Sequence, residues 1–220
     1  MLRHLATICV LAAALSGCGH DSSGDEPATT PMPPSLPGAY AGDFPCSNCK
    51  AIATGLWLRS DGRYFLRQRF VAEDGTTDNG TFALGRWTWD ERAAELVLRG
   101  VGPERRLTVL DEQRLKLRNP SPVEEVLSRD SAAPAFVERV RFDGESSIVD
   151  GNATFKECVT GLTVAVAQEG GYKELRRQHR AVNRSGEPAF TSVEAHLAQS
   201  PARESLVVDR VIALKPRTHC

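Results

Sequence analysis

The sequence predicts a mainly β protein made of two small antiparallel β-barrels. Short runs of alternating apolar and polar residues fill two separate stretches of the chain, and turn residues separate these runs at regular spacing. A short apolar run that ends at Cys18 sets the N-terminus apart from both stretches. These observations divide the chain into an N-terminal signal, a polar tether and two folded domains.

Residues 1–17 have the layout of a lipoprotein signal peptide. Their apolar run, residues 5–15, is too short to span a bilayer, which takes roughly 20 helical residues. The run ends in Leu15-Ser16-Gly17-Cys18, where small residues precede a cysteine, as in bacterial lipoprotein signals. We therefore expect lipidation of Cys18, which becomes the first residue of the mature chain. An ordinary cleaved signal and a buried helix are the alternatives.

The residues after Cys18 predict where the protein is held. Bacterial lipoproteins generally carry more than one acyl chain, which anchors a protein stably. Gly19 and His20 follow Cys18, so the Asp that usually marks retention in the inner membrane is missing. We expect a lipid anchor in the outer membrane, on its periplasmic face. Residues 18–37 are rich in Pro, Ser, Thr and acidic residues, and they predict a lipidated flexible tether with a span of roughly 25 Å.

Composition and motifs argue against several classes of function. The formal net charge is -1, whereas a nucleic-acid-binding domain is usually basic, so we expect no nucleic-acid partner. The sequence has no phosphate-binding loop, no Ser-His-Asp arrangement and no pair of carboxylates in a catalytic context. We therefore expect a protein that is not an enzyme.

Residues 38–118 predict the first barrel. Turn residues such as Ser60-Asp61-Gly62 separate runs in which every second residue suits a barrel interior. Two of these runs carry their interior candidates as follows: Ile52, Leu56 and Leu58 in one, and Tyr64, Leu66 and Phe70 in the next. Trp87 and Trp89 share a face, and we interpret them as interior aromatic residues that leave little room for a ligand.

A linker and a second domain follow. The polar, Pro-containing segment 119–134 predicts a linker with a brief helix at 123–127. Residues 135–220 predict the second domain, with strands at 136–144, 153–158, 162–167, 189–197 and 206–214. A helix is predicted between the third and fourth of these strands, and that order is typical of an OB-type barrel.

The predicted helix has an apolar face and a basic face. Residues at spacings of three and four form the apolar face: Tyr172, Leu175, His179 and Val182. Cations lie elsewhere on the helix: Lys173, Arg176, Arg177 and Arg180. A basic face can meet anionic lipid or an acidic partner, and the alternative is a face that contacts only solvent.

Two cysteines in the second half of the chain predict a disulfide. Apart from the signal and the lipid site, four cysteines remain, and an even number in an exported protein indicates disulfides. The sequence allows three pairings, and we pair Cys158 with Cys220 because both lie in the second domain. A bridge between them would close a loop of roughly 60 residues, for which the chain-entropy relation gives about 4 kcal/mol.

The other pair, Cys46-Ser47-Asn48-Cys49, forms a C-x-x-C motif with more than one interpretation. Strand-like sequence follows it, where a catalytic thioredoxin-like motif would need a helix. A local disulfide with a structural role is one hypothesis. Metal binding or redox sensing is the other, because two soft thiolates suit Cu(I).

These motifs resemble those of the NlpE lipoproteins. Residues 38–52, with their Pro-Cys-x-x-Cys segment, and Asp61-Gly62-Arg63-Tyr64 resemble the N-terminal domain of that family, and residues 153–161 together with Cys220 resemble its C-terminal OB domain. The resemblance implies a lipocalin-like first barrel. It also implies an outer-membrane lipoprotein linked to copper tolerance, adhesion and envelope stress, which signals to a membrane sensor kinase.

The resemblance also implies a role for each cysteine outside the signal. Cys18 carries the lipid, Cys46 and Cys49 form the motif tied to metal or redox response, and Cys158 and Cys220 form the bridge. The main hypothesis is thus a lipid-anchored, non-enzymatic periplasmic sensor or adaptor whose disulfides act as a folding and redox gauge. The alternatives are a carrier of a small apolar ligand and a protein that binds Cu(I) through Cys46 and Cys49, with copper as its cofactor.

Overall fold

The computed structural model describes residues 36–118, 123–133, 135–183, 186–199, 204–216 and 218–220. Within these residues the chain forms two closed β-barrels, which belong to one compact unit, Pro31–Cys220. The strands of the first barrel are β1 Gly38–Phe44, β2 Ala51–Leu58, β3 Arg63–Val71, β4 Thr81–Asp90, β5 Glu95–Gly100, β6 Arg105–Asp111, β7 Arg114–Leu117 and β8 Val126–Arg129. The second barrel consists of β9 Val140–Val149, β10 Asn152–Glu157, β11 Thr163–Val166, α1 Tyr172–Val182, β12 Ala189–Gln199 and β13 Glu204–Pro216.

The first barrel is an antiparallel meander in which each strand pairs with the next along the chain. It closes where β1 pairs with β8, with Tyr40 opposite Arg129. Between β2 and β3 the chain turns at Gly62, whose φ of +76° is a left-handed conformation that favours glycine. The alternation of the sequence therefore becomes an alternation between the barrel interior and its outside.

The interior of the first barrel is filled by its own side chains. Its buried members form one cluster: Leu36, Tyr40, Phe44, Leu56, Leu58, Tyr64, Leu66, Trp87, Leu96, Leu98, Leu107, Leu115 and Leu127. Trp87 is only 2% exposed, and its indole N–H donates to the carbonyl oxygen of Arg59 at 3.0 Å. A small apolar ligand inside this barrel would have to displace such side chains, which argues against the carrier hypothesis.

The second barrel has the strand order β10-β11-β13-β12-β9, with α1 between β11 and β12. Five strands with the helix after the third confirm the predicted OB order. One pair, β11 with β13, is parallel, so the barrel is not wholly antiparallel as predicted. Parallel neighbours need a long crossover, which α1 and β12 provide here, and strand direction leaves no trace in the periodicity of a sequence.

The boundary between the domains differs from the prediction. The segment 119–134, predicted as a linker with a helix at 123–127, contains β8, which closes the first barrel. Leu127 in this strand is 1% exposed and belongs to the core. In β8 the two apolar residues are adjacent and are followed by Ser128 and Arg129, so the strand shows no alternation, and the prolines shortly before it indicate a linker. The first barrel therefore extends to Arg129.

Helix α1 packs one face on the second barrel. Tyr172, Leu175 and His179 are buried, and the His179 ring nitrogen Nε2 lies 3.2 Å from the carbonyl oxygen of Ser146. Val182, predicted on the same face, is 48% exposed because it lies at the last turn of the helix, beyond the barrel wall. The apolar face is thus shorter than the sequence predicts.

Candidate functional site

The predicted lipid site cannot be placed in the fold. Cys18, the signal and most of the tether lie outside the described residues, which begin at Leu36. Among the residues that the structure describes, no helix is both long and apolar enough to cross a membrane. The signal at residues 1–17 and the tether at 18–37 therefore stay predictions.

Cys46 and Cys49 lie in the loop between β1 and β2 and are joined by a disulfide, with an S–S distance of 2.01 Å. Both residues are partly exposed. Cys49 borders an open concavity of about 400 Å³, which is lined on its other side by Phe70, Asp78 and their neighbours. The Cys49 sulfur also lies 3.3 Å from the carbonyl oxygen of Ala51, a contact rather than a hydrogen bond, since a disulfide sulfur carries no proton.

With the disulfide formed, Cys46 and Cys49 do not provide a site for a copper ion. Both sulfurs are consumed by the disulfide, and only thiolates are good ligands for Cu(I). Within the part of the chain that the structure describes, no group of three or more His, Cys, Asp or Glu side chains is placed to hold a metal ion. A copper site at Cys46 and Cys49 therefore requires reduction of the bridge first.

Cys158 and Cys220 are joined by the second disulfide, which ties the turn after β10 to the last residue of the chain. The turn is organised by Glu157, whose side chain is buried although it is acidic. Its carboxylate accepts hydrogen bonds from the backbone N–H groups of Val159 at 2.8 Å and Thr160 at 2.7 Å, and from the Thr160 hydroxyl at 2.6 Å. Three donors satisfy this buried group, so it holds the turn in one conformation.

The C-terminal tail has its own contacts with the barrel. Glu145 on β9 accepts a hydrogen bond from the Cys220 backbone N–H at 3.0 Å and lies 3.1 Å from the His219 ring nitrogen Nδ1. The hydrogen bond from Cys220, with a smaller contribution from His219, holds the pKa of Glu145 below its ordinary value. Both contacts favour the ionised carboxylate, which is therefore the form that binds the tail.

Aromatic side chains join the two barrels. Phe65 on β3 and Phe82 on β4 point away from the interior of the first barrel and stack on Phe136, which precedes β9, with ring centroids 4.8 and 5.2 Å apart. Trp57 meets Phe136 edge-on at 5.1 Å. Phe82 also meets Phe142 of the second barrel at 5.9 Å. We call this set the aromatic junction, and its members belong to the core cluster of the second barrel or pack against it.

Polar contacts surround the aromatic junction. Arg59 pairs with Glu204 at 2.7 Å. Glu138 forms salt bridges with two arginines of β3, Arg67 at 3.1 Å and Arg69 at 2.5 Å. These pairs are partly shielded from solvent, so their charges fix how the barrels meet.

One turn carries both the second disulfide and a contact to the first barrel. Arg86 on β4 donates a hydrogen bond to the carbonyl oxygen of Thr160 at 2.6 Å. Thr160 is two residues from Cys158 and is itself held by Glu157. The Cys158–Cys220 bridge therefore lies only two residues along the chain from a contact between the barrels.

Sequence reasoning brought out the four cysteines but missed the residues around them. Arg86 and Glu157 give no signal because Arg86 contacts a backbone oxygen and two of the three donors to Glu157 are backbone N–H groups. The aromatic junction did leave a signal: Phe65 is a large apolar residue in the outward phase of its strand, where a solvent-facing barrel would carry polar residues.

Comparisons with known proteins agree across both barrels. The family model described as NlpE N-terminal domain matches residues 40–122, and that described as NlpE C-terminal OB domain matches residues 136–220. Lipoprotein NlpE of Escherichia coli (strain K12) is 27% identical over 192 residues, which cover 83% of this chain and 78% of that protein.

Two solved structures are also similar to this chain. The crystal structure of the Cpx pathway activator NlpE from Escherichia coli has 24% identity, covers 84% of this chain and 98% of its own, and gives a TM-score of 0.38. A putative lipoprotein from Shewanella oneidensis has 23% identity, covers 44% of this chain and 90% of its own, and gives a TM-score of 0.35. Because the two family models match successive domains and together span most of the sequence, the chain belongs to the NlpE family.

Proposed function

We propose that this protein is a lipid-anchored, non-enzymatic adaptor that reports envelope stress to a membrane sensor kinase and supports copper tolerance. Its anchor is Cys18, in the outer membrane and facing the periplasm. Membership of the NlpE family supports the proposal, as does the lipoprotein signal that ends at Cys18. The observation that carries it is the turn that holds Cys158 and also accepts the hydrogen bond from Arg86.

The Cys158–Cys220 bridge serves as the gauge of folding and redox state. With the bridge formed, the tail stays on Glu145 and the turn keeps the geometry that Arg86 contacts. If the bridge fails to form, the tail is held by hydrogen bonds alone, and the turn is free to move away from the first barrel. Such a change alters the contact between the barrels at Arg86, which is where a partner can distinguish the two states.

A reporter experiment tests the gauge. The double variant Cys158→Ser/Cys220→Ser is produced at native level in cells that carry the sensor kinase and an envelope-stress reporter. We expect reporter activity to rise several-fold, because the protein then resembles one whose oxidative folding has failed. The matched control is Cys46→Ser/Cys49→Ser, which removes the other disulfide and should leave reporter activity near the wild-type level. An unchanged reporter in the first variant would reject the gauge.

Direct binding of Cu(I) is a second candidate function. It is favoured by the exposure of Cys46 and Cys49 beside an open concavity, where reduction frees two neighbouring thiolates. In this reading, copper tolerance comes from capture of the ion. In the adaptor reading, it comes from the stress response.

A Cu(I) titration separates these readings. We expect the reduced protein to bind Cu(I) and the oxidised protein not to bind it. Loss of outer-shell residues of metal sites costs about 10–100-fold in affinity, so loss of both ligands in Cys46→Ser/Cys49→Ser should cost more than about 100-fold. Cys158→Ser/Cys220→Ser removes the same number of thiols and should bind as the wild type does. Equal affinities in the two variants would count against a thiolate site at the C-x-x-C motif.

A further inference from the structure

Helix α1 carries a row of cations that the fold does not use. The buried face of the helix consists of Tyr172, Leu175 and His179. A second face, about one third of a turn away, carries Lys173, Arg176, Arg177 and Arg180, at positions i, i+3, i+4 and i+7. These four residues line a shallow, open concavity of about 410 Å³. The row is therefore continuous, and it faces away from the core of the second barrel.

Most of this positive charge is not neutralised. Arg177 pairs with Glu174 of the same helix at 2.7 Å. Among the described residues, Lys173, Arg176 and Arg180 form no salt bridge. Asp150 borders the adjoining concavity together with Arg176 and Arg180, and among the described residues it forms no ion pair with either.

Three other exposed arginines in the described part of the second barrel are paired. Arg139 lies 3.3 Å from Asp209, Arg141 lies 3.1 Å from Asp143, and Arg210 lies 2.8 Å from Glu194; these three arginines are called the paired arginines below. The formal net charge of the whole chain is -1. The row on α1 is thus a local excess of positive charge on a protein that is slightly acidic as a whole.

A chain of contacts through β12 and β13 links the end of the tether to the start of α1. Pro37, the last residue of the predicted tether, borders the same cavity as Gln199 at the end of β12. Gln199 pairs with Glu204, the first residue of β13. The residue before α1, Gly171, donates to the carbonyl oxygen of Val208 at 2.6 Å. Glu204 and Val208 are four residues apart on β13, which is about 13 Å at the usual strand rise.

We propose that Lys173, Arg176 and Arg180 form a second, electrostatic contact between this protein and the anionic phospholipid surface of the membrane that holds its lipid anchor. The proposal rests on the lipid anchor of the proposed function. A tether with a span of roughly 25 Å keeps the start of α1 within reach of that surface and raises the local concentration of lipid phosphates around it. Lys and Arg pair with phosphate oxygens through charge-assisted hydrogen bonds, which gives the row a complementary surface.

The contact adds to the anchor and orients the protein. Each cation near an anionic membrane surface contributes about a fivefold change in partition coefficient, so the three together contribute about 100-fold. Because the row consists of cations, the contact depends on charge and weakens as salt is added. It places α1 against the membrane and leaves the opposite side of the barrels free for a partner.

Vesicle binding by the unlipidated chain tests the contact separately from the anchor. Mature protein with Cys18→Ser, a change outside both barrels, is sedimented with phosphatidylethanolamine vesicles that contain or lack phosphatidylglycerol. We expect binding to the anionic vesicles only, and we expect it to fall with salt. The variant Lys173→Gln/Arg176→Gln/Arg180→Gln should lower the partition coefficient about 100-fold, since glutamine keeps the helix propensity while it removes the charge.

The matched control changes the three paired arginines to glutamine, which removes the same net charge from exposed positions of the same barrel. We expect its partition coefficient to stay within about threefold of the wild-type value, because these cations already have carboxylate partners. Equal losses in the two variants would overturn the proposal, as would wild-type binding that does not distinguish anionic from neutral vesicles. An acidic protein would then be the remaining occupant of the row. Labelling of Cys18 with fatty acid in cells tests the anchor itself, so its failure is distinguishable from failure of the contact.

Discussion

Replacement of Cys158 and Cys220 together by serine is expected to lower the free energy of unfolding of the second barrel by about 4 kcal/mol. The bridge joins residues 62 positions apart, and the chain-entropy relation assigns a loss of this size to a loop of that length. The three tryptophans, Trp57, Trp87 and Trp89, all lie in the first barrel. Tryptophan fluorescence therefore does not report the second barrel. Hydrogen exchange of peptides in increasing urea, measured by mass spectrometry, reports the stability of each barrel separately.

The loss has a local component at the tail. Glu145 binds Cys220 and His219, and its lowered pKa means that this contact stabilises the fold above the ordinary pKa of a glutamate and is lost as the pH falls through the lower, folded-state pKa. At neutral pH the contact is present. Without the bridge, however, only such non-covalent contacts restrain the chain end, and chain ends fray easily. We therefore expect residues 218–220 to exchange first in the double-serine variant.

The control is Cys46→Ser/Cys49→Ser, which removes the bridge of the first barrel between residues only three positions apart. A short loop restrains the unfolded chain far less, so the second barrel should keep its wild-type stability. A loss below about 1 kcal/mol in Cys158→Ser/Cys220→Ser would contradict the expectation, because the bridge would then be unimportant to the fold.

Much of the fold could be predicted from alternation in the sequence. Seven strands of the first barrel and all five of the second occupy runs with period two, and α1 occupies the run with spacings of three and four. The strand β8 was missed because closure of a barrel depends on pairing with β1, a contact between residues about 90 positions apart along the chain. The sequence of β8, Val-Leu-Ser-Arg, has no alternation that would mark it as a strand.

The candidate site was predicted only in part. Cysteine counting in an exported chain points to Cys158 and Cys220, since the number of thiols limits the possible pairings. The contact from Arg86 to Thr160 joins residues 74 positions apart through a backbone oxygen. Because every residue type has this oxygen, the sequence at Thr160 does not predict the contact. The surroundings of a site depend on how the two domains dock. Docking is determined by outward-facing side chains, which period-two alternation predicts to be exposed to solvent.

Phe136→Ala is the second change with a large expected effect. Phe136 is 4% exposed and is packed against Phe65, Phe82 and Trp57, so its removal leaves a cavity where the barrels meet. Substitution of a buried Phe by Ala typically costs about 3–5 kcal/mol. Here the cost falls on the junction between the domains as well as on the core of the second barrel. We expect the wild type to unfold in one transition and the variant to unfold in two.

Of the three tryptophans, Trp57 is the one in the aromatic junction, where its ring lies against Phe136 and its indole N–H donates to the carbonyl oxygen of Ala133 at 2.9 Å. Its share of the total fluorescence therefore reports the junction, whereas Trp87 and Trp89 report the first barrel. In Phe136→Ala we expect this signal to change at a lower urea concentration than the hydrogen exchange of the first barrel. Phe70→Ala is the matched control. Phe70 was predicted as an interior residue of the first barrel, but it lies near the end of β3 and is 47% exposed, so its loss should change stability by less than about 1 kcal/mol. A single transition in Phe136→Ala, with both barrels equally affected, would mean that the polar pairs at Glu138 and Glu204 hold the barrels together without the aromatic junction. In that case the hydrogen bond from Arg86 to the turn of Cys158 would survive the loss of Phe136, and the coupling between the bridge and the first barrel would depend on charge rather than on packing.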